Sequence, residues 1–295
     1  MNAVSTLYPR AAALALAATL LLPGAAAAQA APAAGPATAK PAAPRKAAPK
    51  VAAAPIIEAA AVEWLKAASE RLAAAKSMSF TAVASYEFPS RLGPPILYSM
   101  RCDVALQRPD QLKIVMPGDG PATEFTFDGK EIVAFAPAQN LVAVAAAPPT
   151  LEGALKLAYQ TAAVYFPFTD LLMPDPFAVI SEGAKLAFVV GPSAVVGGTR
   201  TQIIVWASDA LFMQLWIGVD DKLPRRIRAI YRDDPRGLRH DLELSNWQID
   251  GAIAPETFST QKARAGQPMA FSVPGPERPM PGKKPTAAKA AAKAQ

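Results

Sequence analysis

The side chains that most often carry chemistry in proteins are scarce in this chain, which has one histidine and one cysteine among its 295 residues. That count excludes zinc fingers, paired-cysteine redox motifs, haem attachment motifs and an intrachain disulfide framework. A serine hydrolase triad would have to use His240, and the sequence has no GxSxG nucleophile elbow. The sequence therefore predicts a protein that is not an enzyme.

His240 and Cys102 both fall on apolar faces of predicted strands. His240 alternates in register with Leu238 and Leu242, and Cys102 does so with Met100. A buried thiol is a poor nucleophile, and a lone histidine on an apolar face is typical of a hydrogen-bonded core residue. A hydrolase that uses His240 stays as the least supported alternative.

The acidic residues give no metal site. The pairs Asp220-Asp221 and Asp233-Asp234 fall in predicted turns between strands, where carboxylates are typically solvated. A metal would have carboxylates and at most one imidazole as ligands. The pair Gly197-Gly198 reads as a hairpin turn, because no helix pattern follows it as a phosphate loop requires. We therefore expect no metal and no cofactor.

The net charge of +6 lies in the ends of the chain. Segments 31–55 and 276–295 are rich in lysine and arginine, whereas residues 56–275 carry more acidic than basic residues. This distribution does not predict a nucleic-acid-binding body, and the basic ends lack the aromatic residues that stack on bases. The ends are either solvated tails or contacts to anionic surfaces of the cell envelope.

Six arginines between Arg225 and Arg239 form the one basic cluster of the body, interleaved with acidic residues. Two interpretations stay open. The cluster is either a salt-bridged strand surface or a site for an anionic head group, which arginine binds through its planar donors.

The first 30 residues read as a secretory signal peptide. Arg10 precedes an apolar run over 11–22 that is too short to cross a bilayer, and Ala28-Gln29-Ala30 is a cleavage site. No cysteine follows the run, so no lipid anchor is expected. An uncleaved N-terminal anchor is the alternative. The sequence predicts a periplasmic protein with cleavage near Ala30.

The rest of the chain divides into a disordered Ala/Pro/Lys linker over 31–55, one folded domain over 56–273 and a disordered basic tail over 274–295. The domain opens with a helix, whose apolar residues recur from Ile57 to Leu72 at three- and four-residue spacing. Strands, a helical insert and a final turn of helix follow. Strands are predicted at 98–106, 112–116, 123–128, 131–136, 141–145, 185–190, 198–208, 211–219, 225–231 and 238–247. The insert has helices from Thr150 and from Asp175-Pro176, around the apolar segment 166–173.

Several of these strands are apolar on both faces. In 201–207, Ile203 and Val205 oppose Ile204 and Trp206. A sheet that is apolar on both faces must be covered on both. Helices can form one cover, and the other side is either an internal cavity for an apolar ligand or a plain two-layer core.

A series of short motifs also resembles a bacterial family of predicted exported proteins that is known as a domain of unknown function. The resemblance covers roughly 58–258. Its landmarks are Lys76-Ser77-Met78-Ser79-Phe80, Arg108-Pro109-Asp110-Gln111-Leu112, Phe127-Asp128-Gly129-Lys130, Leu151-Glu152-Gly153-Ala154-Leu155, Phe168-Thr169-Asp170-Leu171-Leu172, Asp175-Pro176, Trp216-Ile217, Leu223-Pro224-Arg225-Arg226 and Trp247.

That family is similar to the LolA/LolB and LppX/LprG lipoprotein carriers. The resemblance implies an α+β, mostly β fold, in which an incurved, unclosed antiparallel β-barrel holds acyl chains under a helical lid. We therefore expect a monomeric protein whose ligand is a lipid, a fatty-acyl chain or a lipoprotein. The candidate cavity residues are Phe127, Phe135, Tyr159, Phe166, Phe168, Leu171, Leu172, Trp206 and Trp216. The alternative is a structural or interaction module of the cell envelope, with a filled core and basic tethering tails.

Overall fold

The computed structural model describes residues 56–118 and 121–272. Predictions for the signal peptide, the linker and the basic tail therefore lie outside the described residues. In the part of the chain that is described, no helix is long and apolar enough to cross a membrane.

One thirteen-stranded sheet dominates the described residues. Its strands are β1 (Ile56–Ile57), β2 (Ser77–Phe88), β3 (Ile96–Gln107), β4 (Gln111–Met116), β5 (Thr123–Phe127), β6 (Glu131–Ala136), β7 (Leu141–Ala146), β8 (Leu186–Ser193), β9 (Thr201–Ala207), β10 (Leu211–Gly218), β11 (Pro224–Tyr231), β12 (Arg239–Ile249) and β13 (Gln267–Met269). Their spatial order is β1-β8-β9-β10-β11-β12-β2-β3-β4-β5-β6-β7-β13. The order ends at two different strands, so the sheet is unclosed, and the prediction of a mostly antiparallel, unclosed sheet is confirmed.

Both edges of the sheet are covered by short strands that run parallel to their neighbours. β1 pairs with β8 at one edge, and β13 pairs with β7 at the other. At the β8 edge, the Glu58 carboxylate occupies one more backbone group, because it accepts a hydrogen bond from the Val189 N–H at 2.9 Å. Beyond that bond, β8 has a register shift before Gly191 and then Pro192, which has no N–H to donate.

Five α-helices lie in the described part of the chain: α1 (Ala59–Ala74), α2 (Leu151–Ala162), α3 (Thr169–Leu172), α4 (Pro176–Ser181) and α5 (Gln261–Arg264). Thr150 and Asp175, which the sequence predicted as helix starts, cap helices α2 and α4. Thr150 Oγ1 accepts the Gly153 N–H at 3.1 Å, and Asp175 Oδ1 accepts the Ala178 N–H at 2.9 Å. These side chains satisfy amide groups that the first turn of a helix leaves without a partner.

One face of the sheet, which we call the inner face, carries the core. Phe80, Val104, Ile114 and Leu244 of four strands are buried there in one cluster with residues of α2 and α3. α1 covers the β8–β10 part of the same face, where its Leu65 belongs to a second cluster of buried residues. Helices therefore cover the sheet on one side, which is one of the two covers that the doubly apolar strands predicted.

The structure also contains strands that the sequence patterns did not predict. β2 follows α1 directly and pairs with both β12 and β3, which makes it the centre of the sheet. Its sequence is rich in small and hydroxylated residues and so lacks a strong strand signal. β9 begins at Thr201 rather than at residue 198, because Gly197 and Gly198 adopt positive φ angles of 68° and 62° in a short 3-10 turn.

The packing of α3 against the sheet gives a direct test of the core. We expect Leu172→Ala to lower the free energy of unfolding by about 2–5 kcal/mol, because Leu172 is fully buried and the substitution leaves a cavity. Leu92→Ala is the matched control, since Leu92 is exposed, and we expect it to change stability by less than about 0.5 kcal/mol. Urea denaturation followed by circular dichroism measures both, and equal losses would contradict this placement of α3.

Candidate functional site

The structure places most of the predicted cavity residues in packed cores. Phe127, Phe166, Phe168, Leu171 and Leu172 belong to the main cluster of buried residues. The remaining buried candidates are Trp206 in the cluster under α1 and Phe135 in a third, small cluster. Tyr159 is half-buried on α2.

Aromatic rings fill the middle of the inner face. The Phe80 and Phe168 centroids are 5.5 Å apart with perpendicular planes, and Phe166 and Phe168 are 5.8 Å apart. Phe125 and Phe166 continue the series at 5.3 Å. Rings at these separations are in contact. The space between the sheet and α3 is therefore packed with side chains at this point.

Trp216 lies outside that space, on the other face of β10. Its neighbours in β10, Leu215 and Ile217, are buried under α1, so Trp216 points to the outer face. There the guanidinium carbon of Arg226 lies 5.6 Å from the centre of the Trp216 ring. Arg226 also forms an ion pair with Asp241 at 2.9 Å. β10 has apolar residues on both of its faces, and only one face packs against the helices.

An apolar pocket of about 230 Å³ lies beside the filled region, over the ends of β4–β7. Its lining residues include Met116, Phe125, Ala134, Phe135, Ala143, Val164, Phe166 and Phe271. Two of the predicted cavity residues, Phe135 and Phe166, are among them. Glu124 is the one charged residue of the lining, and its carboxylate pairs with Lys113 at 2.5 Å.

The end of α2 supplies one wall of the pocket. Ala163 adopts a left-handed conformation with φ 53°, and its N–H donates to carbonyls of the last turn of the helix. This turn ends the helix and redirects the chain into the segment that carries Val164 and Phe166. Tyr165, between them, instead contacts Tyr159 at 6.4 Å between ring centroids.

The opposite wall is the segment 267–272, which we call the strap. It begins with β13 and continues over the pocket through Met269 and Phe271. The Gln267 N–H donates to the Asn140 carbonyl at 2.7 Å, and Arg264 pairs with Glu131 at 2.5 Å just before the strap. No sequence pattern indicated this wall, because a three-residue exposed strand has no recognisable pattern.

His240 belongs to a row of aromatic side chains on the inner face. The row comprises Phe88, Tyr98, Tyr86, His240 and Tyr231, with ring centroids 5.2–6.4 Å apart. Tyr231 in turn hydrogen bonds to Tyr165. The ring contacts of His240 are with Tyr86 and Tyr231, so this geometry adds no nucleophile to the hydrolase alternative.

Cys102 is buried on the inner face, as its position in the strand predicted. Burial raises the pKa of its thiol to about 12, with a smaller contribution from the nearby Asp103 carboxylate. The nucleophilic thiolate is therefore scarce at neutral pH. Among residues 56–118 and 121–272, no three His, Cys, Asp or Glu side chains come together in a way that could hold a metal ion.

The family model for "Predicted periplasmic protein (DUF2092)" matches residues 61–271. The chain therefore belongs to this family, and the family predicted from the sequence motifs is confirmed. A comparison with curated protein sequences finds no match.

Solved structures similar to this chain include a chain of the Pseudomonas aeruginosa MucA/MucB complex, with 16% identity, a TM-score of 0.42 and coverage of 70% of this chain. This chain spans 62% of the length of that one. LprF from Mycobacterium bovis is similar with 17% identity and a TM-score of 0.42, over 68% of this chain and 97% of that one. A LolA superfamily protein from Nitrosomonas europaea has 11% identity and a TM-score of 0.33, over 68% and 97% respectively.

His240 provides a test of the aromatic row. Its burial lowers the pKa of the imidazole below the ordinary 6.5, and this outweighs the nearby carboxylates of Asp234, Glu87 and Asp241, which raise it. The folded chain then binds fewer protons than the unfolded chain near pH 6.5, so stability falls as the pH drops through this value. Because the chain has one histidine, a single imidazole NMR signal reports the titration. A midpoint at or above that of the urea-unfolded chain would contradict the half-buried position of His240.

Proposed function

We propose that this protein is an exported, non-catalytic binding protein for a hydrophobic or lipid-like ligand. In this proposal the signal peptide is cleaved near Ala30, no lipid anchor is attached, and the monomer acts in the periplasm. The observation that carries the proposal is the apolar pocket between α2, the strap and the ends of β4–β7. Membership of a family described as predicted periplasmic supports the compartment.

The chemistry of the pocket favours an acyl chain over a polar ligand. Its walls are aliphatic and aromatic, and its one carboxylate, Glu124, is already paired with Lys113. Each methylene that leaves water for such a site contributes about 0.8 kcal/mol. An acyl segment can therefore bind by burial alone, without a catalytic group or a cofactor.

The size of the pocket limits what enters it. Its volume of about 230 Å³ lies below the range of roughly 300–1,000 Å³ that is common for sites enclosing a whole small molecule. The strap is the wall most easily displaced, because Gln267, Pro268 and Met269 are all exposed. We propose that a short acyl segment fits the pocket as it stands and that a longer chain displaces the strap.

Filling the pocket tests this proposal. Ala134 lies on the pocket floor, and we expect Ala134→Phe to lower uptake of a labelled fatty acid about tenfold, because it removes space for roughly two methylenes. Ala105→Phe is the control, since Ala105 is similarly half-buried on β3 but lies outside the pocket lining. Native mass spectrometry after gentle purification and binding of the labelled fatty acid measure both. A wild-type chain with a clean apo mass and no uptake would overturn the proposal.

The filled centre of the inner face favours a second candidate function, a structural or interaction module of the cell envelope. Phe127, Phe168 and Leu172 are fully buried there, and they are the residues that a large cavity would have needed. In this alternative the basic segments 31–55 and 276–295 tether the protein to anionic envelope surfaces.

Removing the basic segments distinguishes the two functions. If the module hypothesis holds, deletion of 31–55 and 276–295 abolishes association with the envelope fraction, because these segments carry the excess positive charge. The thermal unfolding curve of the truncated chain is the control for an intact body. A truncated chain that fractionates like the full chain would count against tethering and leave ligand binding as the remaining proposal.

A further inference from the structure

Exposed apolar side chains are concentrated at the turn between β2 and β3. Leu92 is 91% exposed, Leu97 64%, Ile96 49% and Tyr98 47%. Single exposed apolar residues are common on protein surfaces, but a group of them within a few consecutive residues marks an interaction site. We call residues 88–98 the hairpin tip.

The hairpin tip extends beyond the main core of the sheet. The last pair of β2 and β3 residues in contact with the main core is Ala84 and Met100. The two strands continue for four more residue pairs, to Phe88 and Ile96, which corresponds to about 13 Å. The residues of these last pairs do not belong to the main cluster of buried residues.

The turn itself is stiff. Three of its seven residues are the prolines Pro89, Pro94 and Pro95, whose rings fix φ. Gly93 has φ 103°, a conformation that other residues rarely adopt. The chain thus holds Leu92 in solvent at a fixed place, and ordering of the tip upon binding costs little conformational entropy.

Behind the aliphatic residues lie rings that suit a boundary between apolar and aqueous surroundings. Tyr86 and Tyr98 stack with centroids 5.8 Å apart, and Phe88 meets Tyr98 edge-on at 6.1 Å. Tyrosine has an apolar body and a polar tip, and it is enriched where a protein meets the head-group region of a membrane.

Arginines flank the tip from two neighbouring loops. Arg91 in the turn and Arg236 in the β11–β12 loop are exposed, and neither forms an ion pair with a described residue. An open cleft of about 530 Å³ lies between these loops, and Arg236 and Arg239 are among the residues lining it. Arg239 is paired with Glu87 on its floor.

Acidic residues near the tip moderate this charge. Asp234 is occupied as the acceptor of the Arg236 and Leu238 N–H groups, whereas Asp233 is exposed. The arginines therefore give only a modest preference for anions. Most of the attraction must come from the apolar residues.

We propose that the hairpin tip inserts into the head-group boundary of a lipid bilayer, with Leu92 entering first and Arg91 and Arg236 contacting lipid phosphates. A small, convex and stiff projection fits this occupant better than a protein partner, because stable protein interfaces bury about 800 Å² on each side. Peripheral membrane segments combine the same two features, apolar side chains and flanking basic residues.

Vesicle binding by the full exported chain tests the proposal. We expect co-sedimentation with vesicles of phosphatidylethanolamine and phosphatidylglycerol, and about a tenfold loss of binding for Leu92→Ser combined with Leu97→Ser. Replacing phosphatidylglycerol with phosphatidylcholine should weaken binding a few-fold, and Arg91→Gln with Arg236→Gln should remove that difference. Val195→Ser is the matched control, because Val195 is 88% exposed in the β8–β9 turn at the opposite end of the strands.

A local probe identifies the inserted surface. An environment-sensitive fluorophore attached through Ser90→Cys should shift to the blue on addition of vesicles, whereas the same label at Val195→Cys should not. Cys102 is buried and does not compete for the label in the folded chain. Circular dichroism of each variant checks that the body is folded.

Three results would overturn the proposal: no shift of the Ser90→Cys label, equal shifts at both labels, or equal loss of binding with Val195→Ser. A shift at Ser90→Cys that needs an envelope protein fraction and does not occur with vesicles would assign the tip to a protein partner. Fatty-acid uptake uses a different site and a different readout. Loss of vesicle binding with normal uptake in the Leu92 and Leu97 variant would therefore separate this proposal from the proposed function.

Discussion

The whole structure depends on removing the inner face of one long sheet from water. That face is apolar along nearly every strand from β8 to β6, and β2 joins its two halves through continuous pairing with β12 and β3. Burial of this much apolar surface is the dominant stabilising contribution in such a fold. The positions of α1, of the helical insert and of the strap all follow from the need to cover it.

Coverage is complete in the middle and incomplete at one end. Phe168, Leu171 and Leu172 of the insert are buried in the centre and pack against the sheet there. At the end of the sheet that carries the β2–β3 turn, the inner face carries the apolar pocket and the row of rings that includes His240. The pocket and the hairpin tip thus both lie toward the same end of the sheet.

Local features of the fold could be predicted because local chemistry determines them. Thr150 and Asp175 cap helices, and Asp128 accepts the N–H groups of Lys130 and Glu131 in the tight turn before β6. β2 and β13 were missed because their positions depend on long-range pairing rather than on a pattern of their own. For the same reason, the alternation along β10 predicted two apolar faces, but it could not tell which of the two packs against the helices.

The site was only partly predictable. Aromatic residues on one face of a strand indicate apolar surroundings. Whether those surroundings contain a cavity depends on the combined volume of side chains that are distant in sequence. Phe135 and Phe166 line the pocket and Phe127 and Phe168 do not, although the four look equivalent in sequence. No sequence pattern predicted that Met116, Ala134 and the strap line the pocket. Neither a small residue nor an exposed three-residue strand indicates the wall of a pocket.

The covered edges of the sheet affect how readily two molecules of this protein pair through their strands at high concentration. An unclosed sheet ends in backbone N–H and C=O groups that can recruit a strand from another molecule, and repeated recruitment produces fibres. Here β1 and β13 occupy part of those groups, Glu58 takes the N–H of Val189, and Pro192 offers none. With its own short strands the chain therefore blocks part of the edge at which a long apolar sheet would pair with other molecules.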